Sequence, residues 1–181
     1  MKKAFWKFLF KIAGWKIEGQ NPDLKKYVII IAPHTSYWDF FIGYITRNIL
    51  GFSADFLVKD QMFKYPIVSS FLQSRGAHPV DRTKNNSVVE RVVELFNEKE
   101  AFIFTVTPEG TRSYVDRWKS GFYRIAVKAK VPIVTVGFDF ENKTVIFQEP
   151  YWPKDDWESD SEVFLSFYRK IKGRHPEKGI K

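Results

Sequence analysis

A histidine and an aspartate five positions apart are the residues of this sequence best suited to acid–base chemistry. His34 and Asp39 follow an apolar run at positions 27–32, which predicts a buried strand. Open parallel sheets bind ligands at the carboxyl ends of such strands. An imidazole held by a carboxylate can remove a proton from an attacking hydroxyl group, so the pair indicates general-base catalysis. The structural alternative is a capping box formed by Ser36 and Asp39 beside a loop histidine.

A second polar segment, Thr-Pro-Glu-Gly-Thr-Arg-Ser at positions 107–113, follows the apolar run 102–106. Gly110 permits a turn with exposed N–H groups, while Thr111 and Arg112 add a hydroxyl and a planar cation. Together these groups predict an anion or phosphate cradle. The alternative is an ordinary loop between a strand and a helix, with a surface arginine.

Two further cations follow predicted strands and are candidate phosphate ligands. Lys59 comes directly after the strand predicted at 54–58, and Arg82 ends the segment 76–82. For Arg82, the alternative is a simple ion pair with the neighbouring Asp81.

The elements that must position these groups alternate between short apolar runs and helical patterns, as β-α units do. We therefore predict a single α/β domain with a mainly parallel central sheet flanked by helices, preceded by a short N-terminal amphipathic helix. Further strands are predicted at 76–80, 101–106, 131–137 and 144–148, and helices at 38–50, 61–73, 86–99, 121–129 and 160–171.

The net charge of +8 is concentrated at the two ends of the chain. Residues 17–168 hold 18 basic and 20 acidic side chains, so the body has no basic face for a nucleic acid. The absence of cysteine excludes thiolate metal sites and a cysteine nucleophile. The three histidines lack zinc-ligand spacing, so no metal site is expected.

Residues 1–16 predict a basic amphipathic helix, with Lys3, Lys7 and Lys11 on one side and mainly aromatic side chains elsewhere. Such a helix can lie on an anionic membrane surface, or it can pack on the core of its own domain. No run is apolar and long enough to span a bilayer. Residues 17–172 form the predicted domain, and residues 173–181 a basic tail that is expected to be mobile.

Taken in order, these blocks resemble the lysophospholipid acyltransferase family, which includes 1-acylglycerol-3-phosphate acyltransferases. The H-x4-D block matches His34 and Asp39, and the P-E-G-T-R-S block is complete at 108–113. Departures from the family pattern are His78 and Pro79 in the second block and Thr135 in the fourth. The other matching positions are Gly76, Asp81 and Arg82 of the second block, residues 131–136 of the fourth, and Lys119 and Gly121 of the F-K-x-G segment.

The resemblance implies that His34, oriented by Asp39, deprotonates the hydroxyl group of a lysolipid, which attacks the thioester of acyl-CoA or an acyl-carrier protein. No cofactor is implied beyond this acyl donor. Lys59, Arg82 and Arg112 would meet substrate phosphate, Glu109 would hold Arg82 or Arg112, and N–H groups near Gly110 would stabilise the oxyanion.

Two other functions remain open on the sequence alone. A thioester hydrolase would use the same histidine and aspartate on water, and a non-catalytic lipid-binding module would need only the N-terminal helix. For the acyltransferase, the expected location is peripheral, on the cytoplasmic face of an anionic membrane.

Overall fold

The computed structural model describes residues 2–80 and 85–180 and contains one seven-stranded sheet. The sheet order is β1-β7-β6-β2-β5-β3-β4. The five strands from β6 to β4 are parallel, β7 is antiparallel to β6, and β1 is parallel to β7. This mainly parallel sheet confirms the predicted fold class. In chain order the strands are β1 (Lys16–Glu18), β2 (Lys26–Ala32), β3 (Asp55–Lys59), β4 (Ala77–Val80), β5 (Phe102–Val106), β6 (Ile133–Asp139) and β7 (Thr144–Phe147).

Helices cover both faces of the sheet, because successive side chains of a strand point to opposite sides. Val28 and Ile30 of β2 pack in the core beneath α4, α5 and α6, whereas Tyr27 and Ile29 pack in the core beneath α1 and α2. None of the helices within the described ranges combines the length and the apolar character needed to cross a bilayer. In chain order the helices are α1 (Lys2–Ile12), α2 (Trp38–Leu50), α3 (Pro66–Gln73), α4 (Asn85–Glu98), α5 (Gly121–Ala129) and α6 (Trp157–Tyr168), with short 3-10 helices at Asp60–Lys64 and Pro176–Lys178.

The single helix predicted at 61–73 is wrong, because the chain divides there at Pro66. The 3-10 helix Asp60–Lys64 ends before the proline, and α3 begins at it. Proline lacks the N–H group that would continue a helix but fits the first helical position.

The last helix begins at Trp157, three residues earlier than predicted, because Asp156 caps it by accepting the Ser159 N–H. Asp160 is a buried carboxylate instead. It accepts hydrogen bonds from the hydroxyl groups of Tyr123 and Tyr151, at 2.7 and 2.6 Å.

Helix α1 combines features of both readings of the N-terminal segment. Phe10 is buried in the core, and the ring of Trp6 packs edge-on against Tyr44 of α2 at 5.5 Å. Phe8 and Ile12, by contrast, are exposed. The helix is therefore part of the folded domain and still presents an apolar face to its surroundings.

The C-terminal segment, which we define as residues 173–180, is packed, although the sequence suggested a mobile tail. The backbone N–H of His175 donates to Thr35 Oγ1 at 3.2 Å, and Ile180 packs against the core. Gly173 is buried beside Thr35 and Pro33. Small and apolar residues between the basic ones hold this segment against the loop that follows β2.

Tyr168 at the end of α6 forms hydrogen bonds with two neighbouring strands of the sheet, β2 and β6. Its hydroxyl group donates to the carbonyl of Ile30 on β2 at 2.6 Å and accepts the N–H of Val136 on β6 at 3.1 Å. The side chain is fully buried, and burial raises the pKa of Tyr168 well above its ordinary value. The contact fixes the carboxyl end of β2, from which the candidate site extends.

We predict that Tyr168→Phe lowers the free energy of unfolding by about 1–3 kcal/mol, because it leaves a buried carbonyl and a buried N–H without this partner. Urea unfolding measures the change. Tyr65→Phe, which removes an exposed hydroxyl, is the matched control. Equal stability of the Tyr168→Phe and wild-type proteins would contradict this role.

Candidate active site

His34 and Asp39 meet in the turn between β2 and α2. The Nδ1 atom of His34 lies 2.9 Å from Oδ2 of Asp39, a carboxylate only 3% exposed. An ionised carboxylate only accepts hydrogen bonds, so this contact favours the tautomer with the imidazole proton on Nδ1. Nε2 is then the nitrogen able to take a proton from a substrate, and the half-buried His34 side chain remains accessible.

The same aspartate oxygen organises the start of α2. Oδ2 also accepts the backbone N–H groups of Thr35 and Ser36, each at 3.0 Å, and Ser36 Oγ accepts the N–H of Trp38 at 3.2 Å. The N-cap is Tyr37 rather than Ser36, and its side chain makes no cap hydrogen bond. Asp39 therefore binds both the backbone at the start of α2 and the imidazole of His34. The capping role and the proposed orienting role of Asp39 are compatible.

Glu109 binds the backbone of His34, the candidate general base, and not the side chain of an arginine. Its two carboxylate oxygens lie 3.0 and 3.1 Å from the backbone N–H of His34. Strands β2 and β5 are neighbours, so the loops that follow them meet. His34 lies beyond the end of β2, so its backbone N–H has no partner in the sheet and needs another acceptor. The expected contact between Glu109 and Arg112 was wrong, and Arg82 lies outside the described residues.

Burial gives Glu109 an altered protonation equilibrium. The side chain is 5% exposed, and this burial raises the pKa of Glu109 to about 7, with the negative charge of Asp39 acting in the same direction. The hydrogen bond from His34 opposes the rise but does not cancel it.

Arg112 also contacts the turn that carries the histidine. The centre of its guanidinium group lies 3.5 Å from the centroid of the Tyr37 ring, a cation–π arrangement. Two residues of the 107–113 segment, Glu109 and Arg112, therefore reach the H-x4-D turn. Thr111 is exposed, and its hydroxyl group is 3.4 Å from the N–H of Ser113.

Gly110 has a conformational role at this site. Its φ of 66° is in the left-handed region, and a Cβ atom there would lie 3.3 Å from Cε and Nζ of Lys119. Its own N–H donates to the carbonyl of Thr107 at 3.1 Å and closes the turn. The oxyanion role of N–H groups near Gly110 stays a prediction.

The second block is described only in part. Lys59 is the last residue of β3, but its side chain, like Asp81 and Arg82, lies outside the described part of the chain. His78 Nε2 and Lys99 Nζ each lie 2.9 Å from Oδ2 of Asp55. Asp55 begins β3, so this cluster is at the end of the strands opposite His34 and is structural.

Exposed apolar side chains extend from α1 across α2 to the H-x4-D turn, and we call this the aromatic surface. Ring contacts join Trp6 to Tyr44 at 5.5 Å, Tyr44 to Phe40 at 6.4 Å, and Phe40 to Phe41 at 5.8 Å. The exposed members are Phe5, Phe8, Leu9, Ile12, Tyr37, Trp38, Phe40 and Phe41.

The family model described as Acyltransferase matches residues 15–139 of this chain. The matched region includes β1 to β6, the H-x4-D turn and the 107–113 segment. The chain belongs to the acyltransferase family. The resemblance seen in the sequence motifs is thereby confirmed at the level of the family.

Individual relatives agree with this assignment. The chain is 31% identical over 114 residues to a chloroplastic 1-acyl-sn-glycerol-3-phosphate acyltransferase of Brassica napus, covering 60% of this chain and 31% of that protein. It is 30% identical over 128 residues to a chloroplastic protein of the same name from Arabidopsis thaliana, covering 66% of this chain and 34% of the relative. The aligned region thus spans about a third of these plant proteins.

A solved structure shares the fold. The crystal structure of the 1-acyl-sn-glycerophosphate acyltransferase PlsC from Thermotoga maritima superposes with a TM-score of 0.62 at 20% identity. The likeness covers 91% of this chain and 74% of the other.

Two sets of contacts were not predicted from the sequence: those of Tyr168 with β2 and β6, and those of the C-terminal segment with Thr35 in the turn. Both Tyr168 and the C-terminal segment lie after residue 139, beyond the matched region, and both act through hydrogen bonds that no local sequence pattern signals. The glycine at position 173, between charged residues, is the one visible signal of a close approach.

We predict that Glu109→Gln changes the pH dependence of stability. The folded pKa of about 7 exceeds the ordinary value of 4.5, so the folded protein binds more protons than the unfolded chain between these values. Wild-type stability should therefore fall relative to the glutamine variant as pH rises through this window, by at most about 3 kcal/mol.

Urea unfolding at pH 4.5, 6 and 8 measures this effect. Glu149→Gln, the same change at an exposed carboxylate, is the matched control. A difference in the free energy of unfolding between the wild-type and Glu109→Gln proteins that stays constant with pH would show that burial does not raise the pKa of Glu109.

Proposed function

We propose that this chain is an O-acyltransferase that moves a fatty acyl group from a thioester to the hydroxyl group of a lysophospholipid, with 1-acylglycerol-3-phosphate as the favoured acceptor. The observation that supports it most is the 2.9 Å contact between His34 Nδ1 and Asp39 Oδ2 at the carboxyl end of β2. Family membership adds the reaction class, and the names of the plant and bacterial relatives add the acceptor.

In the proposed reaction, Nε2 of His34 accepts the proton of the acceptor hydroxyl group as its oxygen attacks the thioester carbonyl carbon. Asp39 keeps the imidazole in the required tautomer and stabilises the imidazolium that forms. Collapse of the tetrahedral intermediate breaks the carbon–sulfur bond, and the imidazolium returns the proton to the departing thiolate. The acyl donor is acyl-CoA or an acyl-carrier protein, and no acyl-enzyme forms.

Cations around the turn are proposed to bind substrate phosphate. Arg112 is suited to this role, because its cation–π contact with the Tyr37 ring does not consume the N–H donors of its guanidinium group. Lys59 and Arg82 are assigned the same role from the sequence motifs. Glu109 is a positioning residue, since it acts on the backbone of His34.

We predict that His34→Ala lowers acyl transfer by at least the 10² to 10⁴-fold typical of a general base, because it removes the imidazole that is proposed to take the proton. The assay combines purified protein, labelled acyl-CoA and a panel of lysolipids, with products identified by mass. His78→Gln, in the structural cluster with Asp55, is the control for loss of a histidine.

The same assay separates the competing functions. Labelled fatty acid released without lysolipid would identify a thioester hydrolase. Unchanged turnover by folded His34→Ala protein would contradict the mechanism. No turnover by the wild-type protein would contradict the proposed activity.

We further propose that the chain acts as a peripheral protein on an anionic membrane, bound through the aromatic surface. Phe8 and Ile12 can enter the acyl boundary while Lys3, Lys7 and Lys11 contact headgroups, each contributing about 1 kcal/mol. The aromatic surface continues from α1 to Trp38 and Phe41 beside the H-x4-D turn. The same surface would therefore bind the membrane and contain the candidate active site. Such an arrangement brings His34 to an acceptor whose acyl chain stays in the bilayer.

We predict that Phe8→Asp and Ile12→Asp each weaken binding to anionic vesicles, because a carboxylate replaces an exposed apolar group in the interface. Vesicle sedimentation measures binding, which should also fall with added salt. Val163→Asp is the control, because Val163 is also an exposed apolar residue but lies on α6, which covers the other face of the sheet. Equal losses for all three variants would contradict this surface, as would no loss for any.

A further inference from the structure

Two consecutive aromatic residues of the H-x4-D turn each make a cation–π contact with an arginine. Arg112 lies over Tyr37, and the guanidinium centre of Arg174 lies 5.3 Å from the centroid of the Trp38 ring. The two arginines come from the loop after β5 and from the C-terminal segment. The two rings are 72% and 52% exposed, Arg174 is exposed, and Arg112 is half-buried, so both arginines reach solvent beside the turn.

The backbone on both sides of Arg174 is fixed to this turn. A Cβ atom at Gly173 would lie 2.8 Å from Thr35 Oγ1, so the chain approaches the turn as closely as a glycine allows. On the other side, the N–H of His175 donates to the same Thr35 oxygen. Before Gly173, the carbonyl of Lys172 accepts the N–H of Phe140 at 2.8 Å. Arg174 therefore extends from a backbone that is packed in place rather than from a loose tail.

The charge of Arg174 is not used by a carboxylate within residues 2–80 and 85–180. Its basic neighbours have such partners: Arg169 pairs with Glu162, and Lys172 pairs with Glu141. In the same described ranges Arg112 also forms no ion pair. Two guanidinium groups that lie over rings and are not paired with carboxylates of the described residues are suited to an external anion.

We infer that Arg174 binds a phosphate group of one of the substrates, as a partner of Arg112 on the H-x4-D turn. Guanidinium groups bind phosphate through paired N–H donors, and a cation–π contact with a ring does not consume those donors. Both the lysophospholipid acceptor and the acyl-CoA donor carry phosphate. The inference rests on the proposed function, and it adds a binding residue from outside the region that matches the family model.

Kinetics of Arg174→Ala test this role with a short-chain lysophosphatidate in solution and acyl-CoA. Loss of a charged hydrogen-bond partner should raise KM for one substrate about tenfold or more, with kcat within about twofold. Arg169→Ala removes the same charge from α6's end without touching the turn, and its KM values should stay at the wild-type level. Arg174→Lys should give an intermediate KM, because it keeps the charge and loses the paired geometry.

A second acceptor assigns the phosphate. If the KM effect disappears with a monoacylglycerol, which has no phosphate, Arg174 contacts the acceptor. If the effect remains on acyl-CoA, it contacts the donor. Either result supports the inference.

Unchanged KM values for both substrates in folded Arg174→Ala protein would overturn the inference. So would unchanged kinetics in solution combined with weaker vesicle binding, which would assign Arg174 to membrane headgroups.

Calorimetric titration with CoA and with glycerol 3-phosphate separates this test from the proposed function. If the wild-type protein transfers no acyl group, the proposed function fails, yet weaker binding of either compound by Arg174→Ala than by Arg169→Ala still supports a phosphate site. Equal binding of both compounds by the two variants would overturn it.

Discussion

The candidate site depends on one buried carboxylate oxygen, Oδ2 of Asp39, which accepts hydrogen bonds from Nδ1 of His34 and from the N–H groups of Thr35 and Ser36. Burying a carboxylate costs free energy unless charge-assisted hydrogen bonds offset the loss of water. Here those bonds also define the turn from β2 into α2 and the orientation of the imidazole. Structure and chemistry at this turn therefore cannot be separated, and substitution of Asp39 affects both.

Distant parts of the chain converge on this turn because β2 lies between β5 and β6 in the sheet. Glu109, after β5, holds the backbone N–H of His34, and Tyr168 joins the end of β2 to β6. The C-terminal segment adds a hydrogen bond to Thr35. Each contact restrains a different atom of β2 or of the loop that follows it. The position of the imidazole is thus set by the fold as a whole, as expected of a preorganised site.

Strong local patterns made part of this architecture predictable. The apolar run before His34 predicted β2, and the helix at 38–50 was predicted with its observed bounds. Contacts made through a backbone atom leave no such pattern, so the partner of Glu109 was assigned wrongly. The C-terminal segment was misread because its basic composition is typical of a solvated tail, whereas Gly173 and Ile180 allow it to pack. Pro66 carried a readable signal, since proline begins helices more readily than it continues them.

The central claim is that Asp39 holds His34 with its proton on Nδ1, leaving Nε2 as the base. Long-range proton–nitrogen correlation NMR of the ¹⁵N-labelled protein reads the tautomer of each histidine directly. The account predicts that neutral His34 is the Nδ1–H tautomer in the wild-type protein and that this preference weakens in Asp39→Ala. A neutral His34 with its proton on Nε2 would contradict the account, because that nitrogen could not accept the proton of an attacking hydroxyl group.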